Sequence, residues 1–368
     1  QTHESGLFEP YQRAEVIPKD TKFKIPPYLP DNEITQRDLW KMYNNIALMD
    51  KNVGKILDEL EKDGLLENTL IFFYGDHGGP LPRQKRLIYD SGLNTPLIIR
   101  YPNQQNAGSW DRQLISFVDF APTLLSLTGI TPPKHMQGQA FLGKHKAKGK
   151  RTYIHGAVDR LDGITDAIRA VRDKQFKYIR NYRPEQGYYL PIKYREKIPT
   201  MQELLRLKDE GKLNDIQAQW FRENKAPEEL FDCRVDPHEL NNLASDPAYK
   251  EKLIELSSEM NLWIEQIGDR PNLPEIELIT ELWNGAKTKP VTAMPKIKSK
   301  YGKIYISCQT KGASLGYKII DPDGIKPKVW SIYQKPFIVP QGSTIVAQAH
   351  RIGFKPSEVI DSTFVNQN

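Results

Sequence analysis

The residues best suited to chemistry form the run Gly75-Asp76-His77-Gly78-Gly79. An aspartate there can give a hard oxygen ligand to a divalent cation, and the adjacent histidine can be a second ligand or a hydrogen-bond donor. Flanking glycines let the backbone come close to a bound ion or substrate. The pentapeptide alone equally fits a turn with an incidental Asp-His pair. Several basic residues follow in Pro80-Leu81-Pro82-Arg83-Gln84-Lys85-Arg86, and the run leads on to a second apolar stretch.

Buried strands must position this run. Thr69-Leu70-Ile71-Phe72-Phe73-Tyr74 is a continuous apolar stretch too short for a helix and suited to a strand covered on both faces. Pro96-Leu97-Ile98-Ile99-Arg100 reads as a second such strand. Before them, Leu39, Met42, Tyr43, Ile46, Val53, Ile56, Leu57 and Leu60 recur at three-and-four spacing, which predicts a helix from Ile34 to about Lys62 stopped by Gly64. A further helical pattern runs from Val118 to Leu127. Helix, strand, loop, strand and helix predict an α/β fold, a largely parallel sheet flanked by helices, with the loop at a strand's carboxyl end, where ligands bind in open α/β sheets.

The rest of the chain changes character. Ala167 to Arg172 and Phe176 to Arg180 read as strands, with helical stretches near 201–223 and 248–267, a smaller α+β subdomain over 150–285. A Pro- and Lys-rich stretch predicts a linker at 286–297. Short β-rich runs such as Lys303 to Ser307 and Ser343 to Ala349, with turn signals at Asp321-Pro322-Asp323-Gly324, predict a small C-terminal β-sandwich over 298–368. Residues 1–149 then form the α/β part.

From Gly75 through the basic run to Pro96-Leu97-Ile98-Ile99-Arg100, the segment resembles the sulfatase family of the alkaline-phosphatase-like superfamily, closest to its glycan-acting, sulfamidase-like branch. Phe117-Val118-Asp119-Phe120-Ala121-Pro122-Thr123 is similar to the helix that follows in that family, and Glu229-Leu230-Phe231-Asp232 with Asp236-Pro237-His238-Glu239 and Asn241-Asn242-Leu243-Ala244 looks like a later signature of turns and caps. Thr2-His3-Glu4-Ser5-Gly6 resembles a loop whose histidine contacts sulfate. The resemblance implies Asp76 and His77 at a divalent metal, expected to be Ca²⁺, and Lys85 and His3 as catalytic groups on the sulfate. Arg83 is the second choice for the basic role and a candidate substrate contact. His155, Asp159, Arg160 and Asp162, within the stretch from His155 to Gly163, could contact a sugar or could equally make a salt-bridged turn. The C-terminal module is similar to the β-sandwich of some β-hexosaminidases, and its Tyr305, Tyr317, Trp330, Tyr333 and Phe337 could stack on sugar rings or fill its core.

Sulfatases attack with a formylglycine made from Cys/Ser-x-Pro/Ala-x-Arg, and this chain holds no such motif: Cys233 precedes Arg-Val-Asp and Cys308 precedes Gln-Thr-Lys. The nucleophile and a pair of acidic metal ligands are therefore expected in an N-terminal segment of roughly 100–200 residues upstream of Gln1, the length of an ordinary domain. The expected substrate is a sulfate ester or N-sulfate of a carbohydrate. Phosphate or phosphonate hydrolysis within the same superfamily, and a non-enzymatic glycan-binding role, are the alternatives, the first favoured by His77 because imidazole suits softer metals.

Composition adds exclusions. No run of about 18 apolar residues can span a bilayer. The basic run Lys144 to Arg151 is set among polar residues and glycine, which points to a solvated loop and away from nucleic acid. Two cysteines provide no disulfide framework, and the 52 Lys and Arg against 46 Asp and Glu suit an anionic substrate only weakly. Export to the periplasm or beyond is a family expectation, since Gln1-Thr2-His3-Glu4 has no signal-peptide character.

Overall fold

The structure is a computed structural model and describes residues 14–364. The chain divides into two compact units, residues up to Asn272 and residues from Leu273.

The first unit opens with α1 (Glu33–Lys62), capped by the Asn32 side chain, which accepts from the Thr35 amide. Asn32 also donates to Glu203, and buried Asp38 accepts from the amide and hydroxyl of Thr200, so α1 is fixed to α3 (Pro199–Asp209) by polar anchors as well as apolar packing. Strand β1 (Ile71–Tyr74) pairs with β2 (Leu97–Arg100), and α2 (Phe120–Leu127) follows. A four-stranded sheet comes next, in the order β3 (Ile154–Leu161), β4 (Ile164–Arg172), β5 (Phe176–Asn181) and β6 (Glu228–Asp232), with α4 (Lys250–Ile267) on it.

The unit is α/β, but the expectation of a largely parallel sheet is corrected: β1 and β2 run antiparallel, with Ile71 opposite Arg100 and Tyr74 opposite Leu97. Every strand pair in the four-stranded sheet is antiparallel too. A continuous apolar run reports burial, not strand direction. Even that burial is incomplete among the described residues, for Tyr74 is 47% and Ile98 61% exposed.

The main core explains how the loop between β1 and β2 is held. Leu81, Leu87, Ile88 and Tyr89 of that loop sit in one cluster with Tyr28, Leu39, Ala170, Ile179, Met201, Leu204 and Phe231. The loop's inner side is thus part of the hydrophobic core, which fixes the residues at its outer tips.

The second unit contains α5 (Glu275–Leu282), the hairpin β7 (Lys296–Lys300) with β8 (Lys303–Ser307), and a sheet ordered β10 (Ser331–Ile332), β9 (Ser314–Ile320), β11 (Thr344–His350), β12 (Ile360–Thr363). Ile304, Ile306, Ile345 and Ala347 form its core, with Tyr317, Tyr333 and Phe337 packed against them. Tyr317 and Phe337 stack at 4.4 Å, so these two aromatics fill the core and are not sugar platforms. Residues 291–300, within and beside the expected linker, belong to this unit: Thr292 is buried and both its amide and hydroxyl donate to the Lys355 carbonyl.

Candidate functional site

Asp76 lies two residues beyond β1, with its side chain 72% exposed, and His77 is far more enclosed, at 22%. The Nε2 of His77 is 3.5 Å from Oδ2 of Asp76. Its Nδ1 is 2.7 Å from the Gly78 carbonyl. A carbonyl can only accept, so Nδ1 carries a proton, and Nε2 is the ring nitrogen that lies beside the carboxylate. This is the arrangement in which an imidazole ligates a metal while its other nitrogen fixes the ring. The residues therefore fit one side of a divalent cation site, with a carboxylate oxygen and an imidazole nitrogen close enough to share an ion.

Backbone bonds clamp this loop to the turn carrying Lys85. The Gly78 amide donates to the Gly92 carbonyl at 2.9 Å, and the Lys85 amide donates to the Gly79 carbonyl at 3.0 Å. The approach at Gly78 requires glycine, because a Cβ there would stand 1.8 Å from the Ser91 carbonyl oxygen. Arg83 and Arg86 both take left-handed backbone, φ 63° and 71°, costly for residues with a Cβ and typical of a functional turn over-determined by its surroundings.

The expected substrate-contacting residues separate into two groups. Lys85 and Arg86 both lie over the ring of Tyr194, at 5.5 and 5.2 Å. Arg86 pairs with Asp162 at 2.5 Å, and Arg160 donates to the Asp162 carbonyl at 3.2 Å, which brings the β3–β4 turn to the basic face beside Lys85. Asp162 itself is left-handed, φ 56°.

Arg83, Asp159 and His155 are placed elsewhere. The Arg83 side chain is buried, donates to the carbonyls of His238 and Glu239 at 2.7 and 2.8 Å, and covers the Tyr89 ring at 3.9 Å. It holds the turn to the segment after β6. Asp159 pairs with buried Arg169, which also binds Asp269. The His155 ring stacks on Trp263 of α4 at 4.7 Å and reaches Glu259 at 3.0 Å; burial lowers its pKa despite that carboxylate. His3 lies outside the described residues.

Sequence reasoning missed Tyr194 and a buried ionic cluster behind the loop. Lys177, 1% exposed, bridges Asp90 at 2.5 Å and Glu239 at 2.7 Å, and Arg172 adds a second cation on Asp90. Burial raises the Glu239 pKa, whereas at Asp90 the charges of Lys177 and Arg172 outweigh burial and hold it down. Glu239 Oε2 also accepts from the Asp90 amide. Asp90, Cys233 and Glu239 come close enough to be considered a metal site. Lys177 already places its ammonium between the two carboxylates, and burial pushes the Cys233 thiol up to about 12, so the group does not suit a metal. Its one sequence signal was Glu239, inside the signature read as turns and caps. That reading describes its neighbours well: Asp236 accepts from the amides of Leu240 and Asn241, and Asn242 from those of Leu230 and Ala244.

Glu229, in the same signature, yields a pH prediction. Burial pushes its carboxyl up to about 7, against the Asn181 hydrogen bond and the Arg83 charge. Between the ordinary 4.5 and about 7 the folded protein keeps this proton and the unfolded chain has lost it. Stability should therefore fall as pH rises through this window, by on the order of 3 kcal/mol. Urea unfolding at pH 5 and pH 8 should show that fall in the wild type and a clearly smaller one in Glu229→Gln; equal falls would remove Glu229 as its source.

With this geometry in view, the comparisons with known proteins are informative. The family described as "Sulfatase" matches residues 2–130, and that described as "N-sulphoglucosamine sulphohydrolase, C-terminal" matches residues 82–221. An ulvan-active sulfatase of Formosa agariphila is 60% identical over 393 aligned positions, covering 98% of this chain and 66% of that protein. Human N-sulphoglucosamine sulphohydrolase is 26% identical, over 65% of this chain and 50% of its own length. A solved protein in complex with its substrate D-glucosamine-2-N,6-O-disulfate is 25% identical, covers 64% of this chain and 42% of its own, and superposes with a TM-score of 0.48. The chain thus spans between half and two thirds of the length of these two curated relatives. With the Asp76–His77 loop and the Glu229–Ala244 signature both inside a match that covers 98% of the chain at 60% identity, the chain belongs to the sulfatase family.

Proposed function

We propose that this chain forms part of a sulfatase that hydrolyses sulfate esters or N-sulfates of a sulfated carbohydrate, ulvan-like polysaccharide being the first candidate because the 60% identical relative is an ulvan-active sulfatase. The observation that carries the reading is the Asp76–His77 pair, its imidazole oriented by Gly78, on a loop bonded through its backbone to the turn of Lys85.

Asp76 and Nε2 of His77 would hold the divalent cation, Ca²⁺ in the first instance. When bound, the cation would withdraw charge from the sulfate oxygens; the nucleophile, a formylglycine in this family, would have to come from outside the residues of this chain. Lys85 neutralises a sulfate oxygen and delivers a proton to the leaving oxygen or nitrogen; as a compact point charge on a flexible stem it suits a small tetrahedral anion. The Lys85 ammonium lies over the Tyr194 ring, 5.5 Å from its centre, which positions it. His3 is assigned a contact to sulfate, and Arg160 and Asp162 contacts to sugar hydroxyls. Arg83 is assigned a structural role. The enzyme acts as an exported protein on a large external polysaccharide. Among the described residues, no helix is long and apolar enough to cross a membrane.

The test is product analysis. Full-length protein containing this chain, incubated with a sulfated polysaccharide and, separately, with phosphate mono- and diesters and phosphonate esters, should release sulfate. Release of phosphate or phosphonate with no sulfate from any sulfated sugar would favour the superfamily's other branch, to which the imidazole ligand lends some chemical support.

A further inference from the structure

The charge of this chain is distributed unevenly between its two units. Residues 273–368 contain thirteen Lys and Arg against seven Asp and Glu, so the small β unit accounts for the whole net charge of +6 and the remainder is balanced. Twelve of those thirteen basic residues are lysines.

The hairpin β7–β8 concentrates this charge on one face. Side chains alternate along a strand, so Ile297 in β7 and Ile304 and Ile306 in β8 turn to the core, while Lys296, Lys298 and Lys300 are exposed on the other face. The register places Ser307 opposite Lys296, Tyr305 opposite Lys298, and Lys303 opposite Lys300. Tyr301 and Gly302 close the hairpin with left-handed φ values of 51° and 70°, the two-residue turn that matches strand twist, and Lys300 Nζ lies 5.0 Å over the Tyr301 ring. The outer face is thus four lysines with Tyr305 between them. The hairpin contains no acidic residue, and among the described residues none of the four lysines has an ion-pair partner.

Lys300 directly opposite Lys303 is unfavourable in an isolated hairpin, because like charges facing each other across strands repel. Such a face suits a multivalent anion whose charges lie along a line, bound by neutralising several ammonium groups at once. Lysine without arginine argues against nucleic acid, where the planar guanidinium is preferred for phosphate and bases, and the exposed Tyr305 ring offers one apolar contact between the charges.

We propose that the outer face of β7–β8 is a binding surface for a sulfated polysaccharide, separate from the catalytic loop, that retains the enzyme on its polymer. The choice of polymer rests on the proposed sulfatase function; the surface itself rests on the hairpin. Lysines on a hairpin also discourage edge-to-edge aggregation, and if that were their only role no glycan would bind there.

The experiment measures retardation of the full-length protein in gels containing dextran sulfate, unsulfated dextran or single-stranded RNA, over a series of salt concentrations. The comparison is with the quadruple variant Lys296→Thr, Lys298→Thr, Lys300→Thr, Lys303→Thr, whose fold is checked by thermal unfolding. Wild type should bind dextran sulfate selectively and lose affinity as salt rises. The variant should bind at least about tenfold more weakly with a shallower salt dependence, a modest expectation for removing four surface cations that each interact with a polyanion. Sulfate release from a small sulfated monosaccharide should be the same in both proteins. Equal dextran sulfate binding by both proteins would overturn the proposal, as would equal wild-type binding to plain dextran, or RNA binding as tight as dextran sulfate. Loss of turnover on the small substrate in both proteins, with selective binding intact, would fault the sulfatase reading alone.

Discussion

Asp76→Ala in the full-length protein should lower sulfate release by at least about a hundredfold, the scale on which loss of a few kcal/mol of charge stabilisation acts. Asp76 is exposed at the end of β1 and is not needed to fill the core, so the fold should be retained. Added divalent metal should recover only part of the lost rate, since on the proposed assignment His77 alone would be left to hold it on this side. His77→Ala should also impair metal dependence, since its Nε2 lies 3.5 Å from the Asp76 carboxylate. Asp159→Ala provides the contrast: that carboxylate is exposed and bound to Arg169, which also has Asp269. Its loss should leave the metal dependence unchanged. If Asp76→Ala stays within about threefold of wild type, the metal assignment fails.

Lys177→Met should produce the largest loss of stability, about 3–5 kcal/mol, because it strands the buried Glu239 carboxylate and the part-buried Asp90 carboxylate that now share one ammonium. For a unit of this size that corresponds to a fall in melting temperature of roughly 10 °C. Arg172 would still serve Asp90, but among the described residues Glu239 has no second cation of that kind, so most of the penalty should fall on Glu239. Adding Glu239→Gln to Lys177→Met should therefore recover part of the loss, a non-additivity measurable by thermal unfolding of the single and double variants. Strict additivity would mean that Lys177 stabilises through packing rather than charge. Because the Glu239 carboxylate accepts from the Asp90 amide and Arg83 donates to the Glu239 carbonyl, loosening this cluster should also weaken activity without touching substrate.

The parts of the site that are contiguous in sequence were the legible ones. An apolar strand ending in Gly-Asp-His-Gly, with a lysine nine residues beyond Asp76, is a local pattern, and both strands and the loop lie where the pattern put them. Periodicity likewise located α1 within a residue and the strands β4 and β5 within a few. Strand direction was not legible, since burial makes a strand apolar whichever way its neighbour runs. Nor was the fate of Arg83. In sequence it resembles Lys85, two residues on, but a left-handed backbone turns it inward to carbonyls 155 and 156 residues away, and nothing local announces that partnership. The placement of His155 was illegible for the same reason, for its partners Glu259 and Trp263 come from a helix about 100 residues downstream. Lys177, in the middle of a strand, has nothing in its local sequence that announces the two carboxylates around it, Asp90 and Glu239.

The central assignment is that Asp76 and His77 form one side of a divalent metal site. Anomalous diffraction from crystals of the full-length protein grown with calcium, and with manganese as a stronger scatterer, measures this directly. An ion about 2.1–2.6 Å from an Asp76 carboxylate oxygen and close to His77 Nε2 is the predicted result. An ion bound instead at Asp90, Cys233 and Glu239, or no ion at Asp76 in a protein that releases sulfate, would contradict it.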